Sequence, residues 1–301
     1  MGSMRVGIAV VGGAVLAAGA LAVPGGAGTS SAWQYEAIGE SGIPVSILRA
    51  AATIRLAVVD TGADVGVPDI AARHPLTWDV RTRRTGVRDV NGHGTFVASL
   101  AAGASGAARL MIVKAGSASG AFTDAAESSA IHYAVDHGAK IINLSVGGVD
   151  TSPTERAAVA YAIRHGVLLV APVGNGFGST PMYPAALLGN AGLAVAASTE
   201  TGGHAPFSNT GIGVAITAPG EHVLGDLVGG LSGYDSGTSF AAPLVAGAAA
   251  LVWGANPRLT ARDVVAIIEQ TASGSGTWTP DLGYGVIDVA AAVARAEELR
   301  R

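Results

Sequence analysis

Cysteine is missing from this chain, and charge is sparse. Without cysteine there can be no disulfide, no thiolate nucleophile and no Cys-ligated zinc, although the absence is compatible with any compartment. Charged residues make up only 13% of the sequence, and a formal net charge of −4 gives no reason to expect nucleic acid as a partner. One basic run, Arg81, Arg83, Arg84 and Arg88, reads as a solvated loop. What is abundant is glycine (44 residues) and apolar side chains, 49% of 301 residues. That is too apolar for a disordered chain and too rich in glycine and alanine for a coiled coil. The length allows one large α/β domain, or two small ones, with a sizeable core.

The amino terminus reads as a targeting segment. Met1-Gly2-Ser3 ahead of Met4 looks like a cloning scar, and Arg5 then leads into an unbroken run of apolar residues and glycines at 6–23. Pro24 opens a Gly/Ser-rich stretch ending in Ser30-Ser31-Ala32, whose small residues fit a signal-peptidase site, with Ala20-Leu21-Ala22 as the alternative. A membrane anchor is the competing reading, since ~20 apolar residues span a bilayer. The glycines and the small residues behind the run favour cleavage. We therefore expect a signal peptide with its scar at 1–31 and a catalytic domain at 32–298, exported from the cytoplasm and not inserted stably in the membrane afterwards.

From there the pattern alternates. Short apolar runs suited to strands buried on both faces occur at 54–59, 110–113, 141–144, 167–171, 193–197 and 214–218. Helical stretches separate several of them, at 93–102, 123–137, 153–165 and 239–253. Such alternation predicts an α/β fold of three layers, a mainly parallel sheet with helices on both faces. Ligands in such sheets gather beyond the carboxyl ends of the strands. Asp60 stands where the first strand ends.

Three stretches each set one reactive side chain among small residues, in the order Asp, His, Ser: Val58-Val59-Asp60-Thr61-Gly62, Asn91-Gly92-His93-Gly94-Thr95 and Gly237-Thr238-Ser239-Phe240-Ala241-Ala242-Pro243. A hydroxyl is a poor nucleophile at neutral pH and needs a base. Imidazole titrates in the right range, and a carboxylate can hold its tautomer and stabilise the imidazolium. Taken singly, Asp60 is a turn residue and Ser239 a helix N-cap. Together they are the candidate catalytic set. His74, His132, His137, His165, His204 and His222 read as surface or helix-end residues. His132 and His137, five apart, do not share a helical face, and no metal site emerges.

In this order the three stretches resemble the signatures of the subtilisin-like serine proteases, the subtilases. The resemblance extends over roughly residues 33–295. It includes the segment opening at Trp33, Asn143-Leu144-Ser145-Val146-Gly147-Gly148, Val170-Ala171-Pro172-Val173-Gly174-Asn175, Met182-Tyr183-Pro184-Ala185, Phe207-Ser208-Asn209, Thr217-Ala218-Pro219-Gly220 and Gly283-Tyr284-Gly285-Val286-Ile287-Asp288. It implies a subtilisin-like fold and a serine endopeptidase in which Ser239 is the nucleophile, His93 the general base and acid, and Asp60 the orienting carboxylate. Asn175 and the Ser239 N–H would form the oxyanion hole. An extended peptide would lie between Ser145, Val146 and Gly147 on one side and Ser119 and Gly120 on the other. Val146, Ala171, Pro172, Val173, Gly174 and Met182 would line the pocket before the scissile bond. No charge is among them, so an apolar or broad preference is expected.

Two departures from the family pattern stand out. Barely thirty residues precede the opening segment, where many relatives carry a folding propeptide; either the domain folds unaided or the propeptide is missing from this chain. The stretch at 101–109 is short where many relatives have a calcium-binding loop, so no calcium is expected there, with calcium elsewhere left open. No cofactor is expected, the partner is a peptide or protein substrate, and the default state is a monomer. Acyl transfer to an amine, as in a peptide ligase or cyclase, and a catalytically silent binding domain are the alternative readings. A dinucleotide-binding enzyme would need a Gly-x-Gly-x-x-Gly turn after the first strand, and Asp60-Thr61-Gly62-Ala63-Asp64 is not one.

Overall fold

A computed structural model of the protein describes residues 4–6 and 32–301. The scar at 1–3, the run at 7–31 and the processing sites expected in it lie outside the described residues. In chain order the strands are β1 (Met4–Val6), β2 (Arg55–Asp60), β3 (Leu76–Asp79), β4 (Arg109–Lys114), β5 (Ala121–Thr123), β6 (Ile141–Leu144), β7 (Leu168–Pro172), β8 (Leu193–Ser198), β9 (Ile216–Pro219), β10 (Val223–Asp226) and β11 (Ser232–Asp235). The helices are α1 (Trp33–Ala37), α2 (Val45–Ala50), α3 (Pro68–Ala71), α4 (His93–Ala104), α5 (Asp124–Asp136), α6 (Pro153–Arg164), α7 (Thr238–Ala255), α8 (Ala261–Thr271) and α9 (Val289–Glu298).

Seven strands form one parallel sheet in the order β3-β4-β2-β6-β7-β8-β9. Alternate residues of each strand feed opposite faces, as the period of two requires. Leu56 and Val58 of β2 enter a core shared with α4, α7, α8 and α9. Ala57 and Val59 enter a second core shared with α5 and α6. The sheet is thus the middle of three layers, as its apolar runs imply. Two small antiparallel ladders stand apart from it, β10 with β11 and β1 with β5.

The organising helix is α7. All 18 of its residues are buried, and by length and composition it could cross a membrane. Here it is enclosed by the domain on every side, which is why it is apolar all round rather than along one stripe. Small side chains let α4 lie very close to it. A Cβ placed on Gly247 would sit 2.6 Å from the Cβ of Ala104 and 2.7 Å from its carbonyl carbon. Neither helix can yield, since both press on the sheet.

Gly247→Ala should therefore push α4 away from α7 and cost about 1–3 kcal/mol by overpacking, despite alanine's better helix propensity. A melting temperature at or above that of the wild type would contradict this account of the contact.

Candidate active site

β2 ends at the buried Asp60. Its Oδ1 accepts the Thr61 N–H at 2.6 Å and lies 2.8 Å from His93 Nδ1. A carboxylate oxygen accepts, so Nδ1 carries the proton and Nε2 is left with a free lone pair. His93 opens α4, and the close approach depends on the next residue. A Cβ on Gly94 would lie 2.2 Å from the Gly62 carbonyl oxygen and 3.1 Å from Asp60 Cβ. Only glycine lets the helix start against the strand end. Burial of the imidazole would lower its pKa, but Asp60 beside it, with further contributions from Asp235 and Asp89, reverses this and holds His93 above the ordinary 6.5.

Asp89 organises the loop that delivers His93. Its buried carboxylate accepts from Thr61 Oγ1, Asn91 N–H, Gly92 N–H, Thr95 N–H and Thr95 Oγ1, at 2.7–3.1 Å. Burial alone would raise its pKa; the hydrogen bonds from Gly92, Thr95 and Thr61 outweigh that and hold it below the ordinary carboxylate value.

Ser239 is the second residue of α7 and 7% exposed. The next residue, Phe240, packs its ring 5.5 Å from the His93 ring and 4.7 Å from that of Phe96. This fixes the imidazole against the first turn of α7. Helix amino termini present unbonded N–H groups and a partial positive charge. The Thr238 N–H is bound by Asn175 Oδ1 at 2.8 Å, whereas the Ser239 N–H has no acceptor among the described residues.

Pro243 contributes through what it lacks. Having no N–H, it leaves the carbonyl of Ser239, four residues earlier, without its helical donor. Ser145 Oγ supplies one at 2.8 Å and is itself bonded by Asn143 Nδ2 at 2.8 Å. The Ser145 side chain is thereby spent on the Ser239 backbone, so only its main chain is free for a ligand.

Asn175 has a determined orientation. Its Oδ1 accepts both the N–H and the Oγ1–H of Thr238, each at 2.8 Å. A backbone N–H can only donate, so the amide nitrogen must be the other end. That end faces the space beside Gly237, where an added Cβ would lie 3.5 Å from Nδ2. The loop behind Asn175 is pinned by Asn209. Its Oδ1 accepts from Gly176 and Gly178, and its Nδ2 donates to the carbonyls of Val173 and Thr180.

The residues expected to bind substrate fall into two groups. Ser119 and Gly120 lie beside the His93 loop: Asn91 Nδ2 donates to the Ala118 carbonyl, and a Cβ on Gly120 would be 3.2 Å from that nitrogen. Gly147, Gly174 and Met182 come together, with Met182 Sδ 2.6 Å from a Cβ placed on Gly174 and 3.8 Å from one on Gly147, whereas Val146, expected to line the same pocket, is enclosed in the second core. Ala171 and Val173 are likewise enclosed in the second core, and Pro172 is buried in β7. Their side chains support the Gly174-Asn175 turn from behind. Asp89, Thr238, Asn143 and Asp235 were not singled out from the sequence. Asp89 had one legible signal, its place just ahead of an Asn-Gly turn.

Comparisons with known proteins find similar chains. The model of the subtilase family matches residues 51–285. Thermitase of Thermoactinomyces vulgaris is 35% identical over 237 residues, which cover 74% of this chain and 84% of thermitase. The cell wall-associated protease of Bacillus subtilis (strain 168) is 38% identical over 229 residues, 72% of this chain but 25% of that protein. Among solved structures, fervidolysin from Fervidobacterium pennivorans, described as a keratinolytic enzyme related to subtilisin, superposes with a TM-score of 0.76 at 28% identity, over 87% of this chain and 45% of its own.

Because Asp89 has a lowered folded pKa, its stabilising contribution is present above the unfolded value of ~3.9 and is lost as pH falls through the folded pKa. Asp89→Asn should cost about 1–3 kcal/mol at pH 7 and lose less further stability than the wild type below about pH 4. Denaturant melts across that range test this; parallel pH profiles for the two proteins would show that Asp89 is not the group responsible.

Proposed function

This chain belongs to the subtilase family, and from that membership we propose that Asp60, His93 and Ser239 are the working triad of a serine endopeptidase. The bond between His93 Nδ1 and Asp60 Oδ1, 2.8 Å long, carries the proposal, because it leaves Nε2 as the only ring position able to take a proton. Ser239 Oγ attacks the scissile carbonyl carbon while its proton passes to His93 Nε2. The imidazolium is stabilised by Asp60. The oxyanion accepts from the Ser239 N–H and Asn175 Nδ2, both held in place before substrate arrives. Collapse of the tetrahedral species breaks the C–N bond, and His93 returns the proton to the departing amine. Water, deprotonated in turn by His93, releases the acyl group from Ser239.

The substrate is a peptide or protein laid as an extended strand between Ser119-Gly120 and Ser145-Val146-Gly147. Gly147, Gly174 and Met182 offer an uncharged pocket before the scissile bond, which supports an apolar or broad preference. We assign no cofactor and no resident metal ion. We place the protein outside the cytoplasm, as a monomer, with residues 4–31 acting as an export signal. The name of the cell wall-associated relative is consistent with such a location.

A fluorophosphonate probe tests the nucleophile. Labelling is expected of the native wild type and of Asn175→Ala, and not of Ser239→Ala or heat-denatured protein. Asn175→Ala should turn over peptides about 10²–10³-fold more slowly, the usual cost of one oxyanion donor. Labelling that survives in Ser239→Ala would remove the proposal, and cleavage confined to sites after Lys or Arg would remove the pocket assignment.

The raised pKa of His93 sets the acid side of the pH profile. Neutral His93 is the active form, so kcat/KM should rise with pH through a midpoint above 6.5. Asp235→Asn, which removes one of the charges holding it up, should move that midpoint downward. An unmoved midpoint would mean that Asp235 does not act on the imidazole.

A further inference from the structure

The far end of the sheet carries a second cluster of charge, of opposite sign. Arg55 and Arg109 are the first residues of β2 and β4 and sit side by side in the parallel register, about 4.8 Å apart as neighbouring strands require. Two like charges so placed repel. A cavity of about 430 Å³ opens beside them, lined by Arg55, Arg73, His74, Leu76 and Arg109 among others, with no carboxylate in its wall. In a chain with four more acidic than basic residues, three guanidiniums and an imidazole around one cavity need an explanation.

Helix capping accounts for part of it. Arg55 Nη1 donates to the carbonyl of His137 at the end of α5, and Arg73 Nη2 to that of Ala102 in the last turn of α4. Basic groups are favoured at those helix ends. A guanidinium has five donors, however, and each of these bonds uses one. Arg73 Nε is buried without any partner. Arg109 makes no side-chain hydrogen bond or ion pair among the described residues. Glu40 is a carboxylate on which Arg73 acts, and burial pushes its pKa up to about 7 although Arg73 draws it down. It is a weak counter-charge near neutrality.

We propose that the cavity at the amino ends of β2 and β4 is a binding site for a small oligophosphate, held by Arg55, Arg73 and Arg109. Planar guanidinium forks match phosphate oxygens in pairs. Several converging forks suit an anion with several charges better than a single carboxylate. The site lies at the opposite edge of the sheet from Ser239, so it binds independently of catalysis.

Calorimetric titration of the full chain with sodium tripolyphosphate tests this, at ionic strength matched with sodium chloride. Saturable one-to-one binding is expected, weakened tenfold or more in Arg109→Gln and unchanged in Arg81→Gln/Arg84→Gln, which removes two loop charges elsewhere. Arg109 is exposed, so its loss should leave the fold intact, and an unaltered melting temperature without ligand would verify that. Vesicles containing phosphatidic acid, at equal phosphate, distinguish a lipid headgroup from a free anion; binding to vesicles alone would overturn the assignment. So would equal affinity in wild type and Arg109→Gln, or heats that never saturate.

Discussion

The contact between α4 and α7 is the constraint on which the rest of the site depends. His93 is the first residue of α4 and Ser239 the second of α7, so their separation is set by how closely the two helix bodies pack two to three turns further on. Gly247 against Ala104 sets that spacing. Asp60 is located separately, by the end of β2. His93 meets Asp60, and the first turn of α7 comes against the imidazole through Phe240, because α4 is pressed both onto α7 through Gly247 and onto β2 through Gly94. Bulk at either glycine would change the geometry of the site without touching a reactive atom.

Around this frame the polar groups are tied to one another in advance. Pro243 frees the Ser239 carbonyl, Ser145 takes it up, and Asn143 takes up Ser145. Thr238 engages Asn175 Oδ1 and so aims Nδ2 outward. Each bond satisfies a donor or acceptor that would otherwise be costly to bury. Among the groups left over at the mouth of the site are the Ser239 N–H, Asn175 Nδ2 and His93 Nε2; deeper in, Asp60 Oδ2 and Asn143 Oδ1 are also buried without a partner. In the proposed mechanism, donors already held in place stabilise developing charge without reorganising when the reaction occurs.

Much of this was legible in the sequence, for a physical reason. Strands buried on both faces must be continuous apolar runs, and β2, β4, β6, β7, β8 and β9 were each placed to within two residues at either end. The reactive triplets sit in short local motifs. Elements that depend on partners elsewhere were missed. β3 begins with an exposed Leu76 and is only half-buried; β10 and β11 have too little apolar content to stand out, Ser232–Asp235 being largely exposed. α8 and α9 had clear side-chain caps at Thr260 and Asp288 but short amphipathic faces that gain meaning only against α7. Thr238 and Asp89 were hidden for another reason. Their role consists of hydrogen bonds to groups brought within reach by the fold, Asn175 for Thr238 and Thr61 with the loop before α4 for Asp89, and composition does not record that.

The two edges of the sheet also divide its electrostatics. Helices that return antiparallel to the strands end where the strands begin, so their carbonyl ends gather at the amino edge, and basic residues such as Arg55 and Arg73 are drawn there to cap them. At the carboxyl edge the helices begin, and acidic groups collect: Asp60, Asp89 and Asp235 all act on His93. The same parallel topology thus supplies positive helix ends for an oxyanion and a negative setting that keeps the imidazole basic. These two demands conflict in a uniform medium. They are reconciled here by placing the proposed oxyanion donors on α7 and the loop beside it, and the strongest counter-charge to the imidazole, Asp60, at the end of β2.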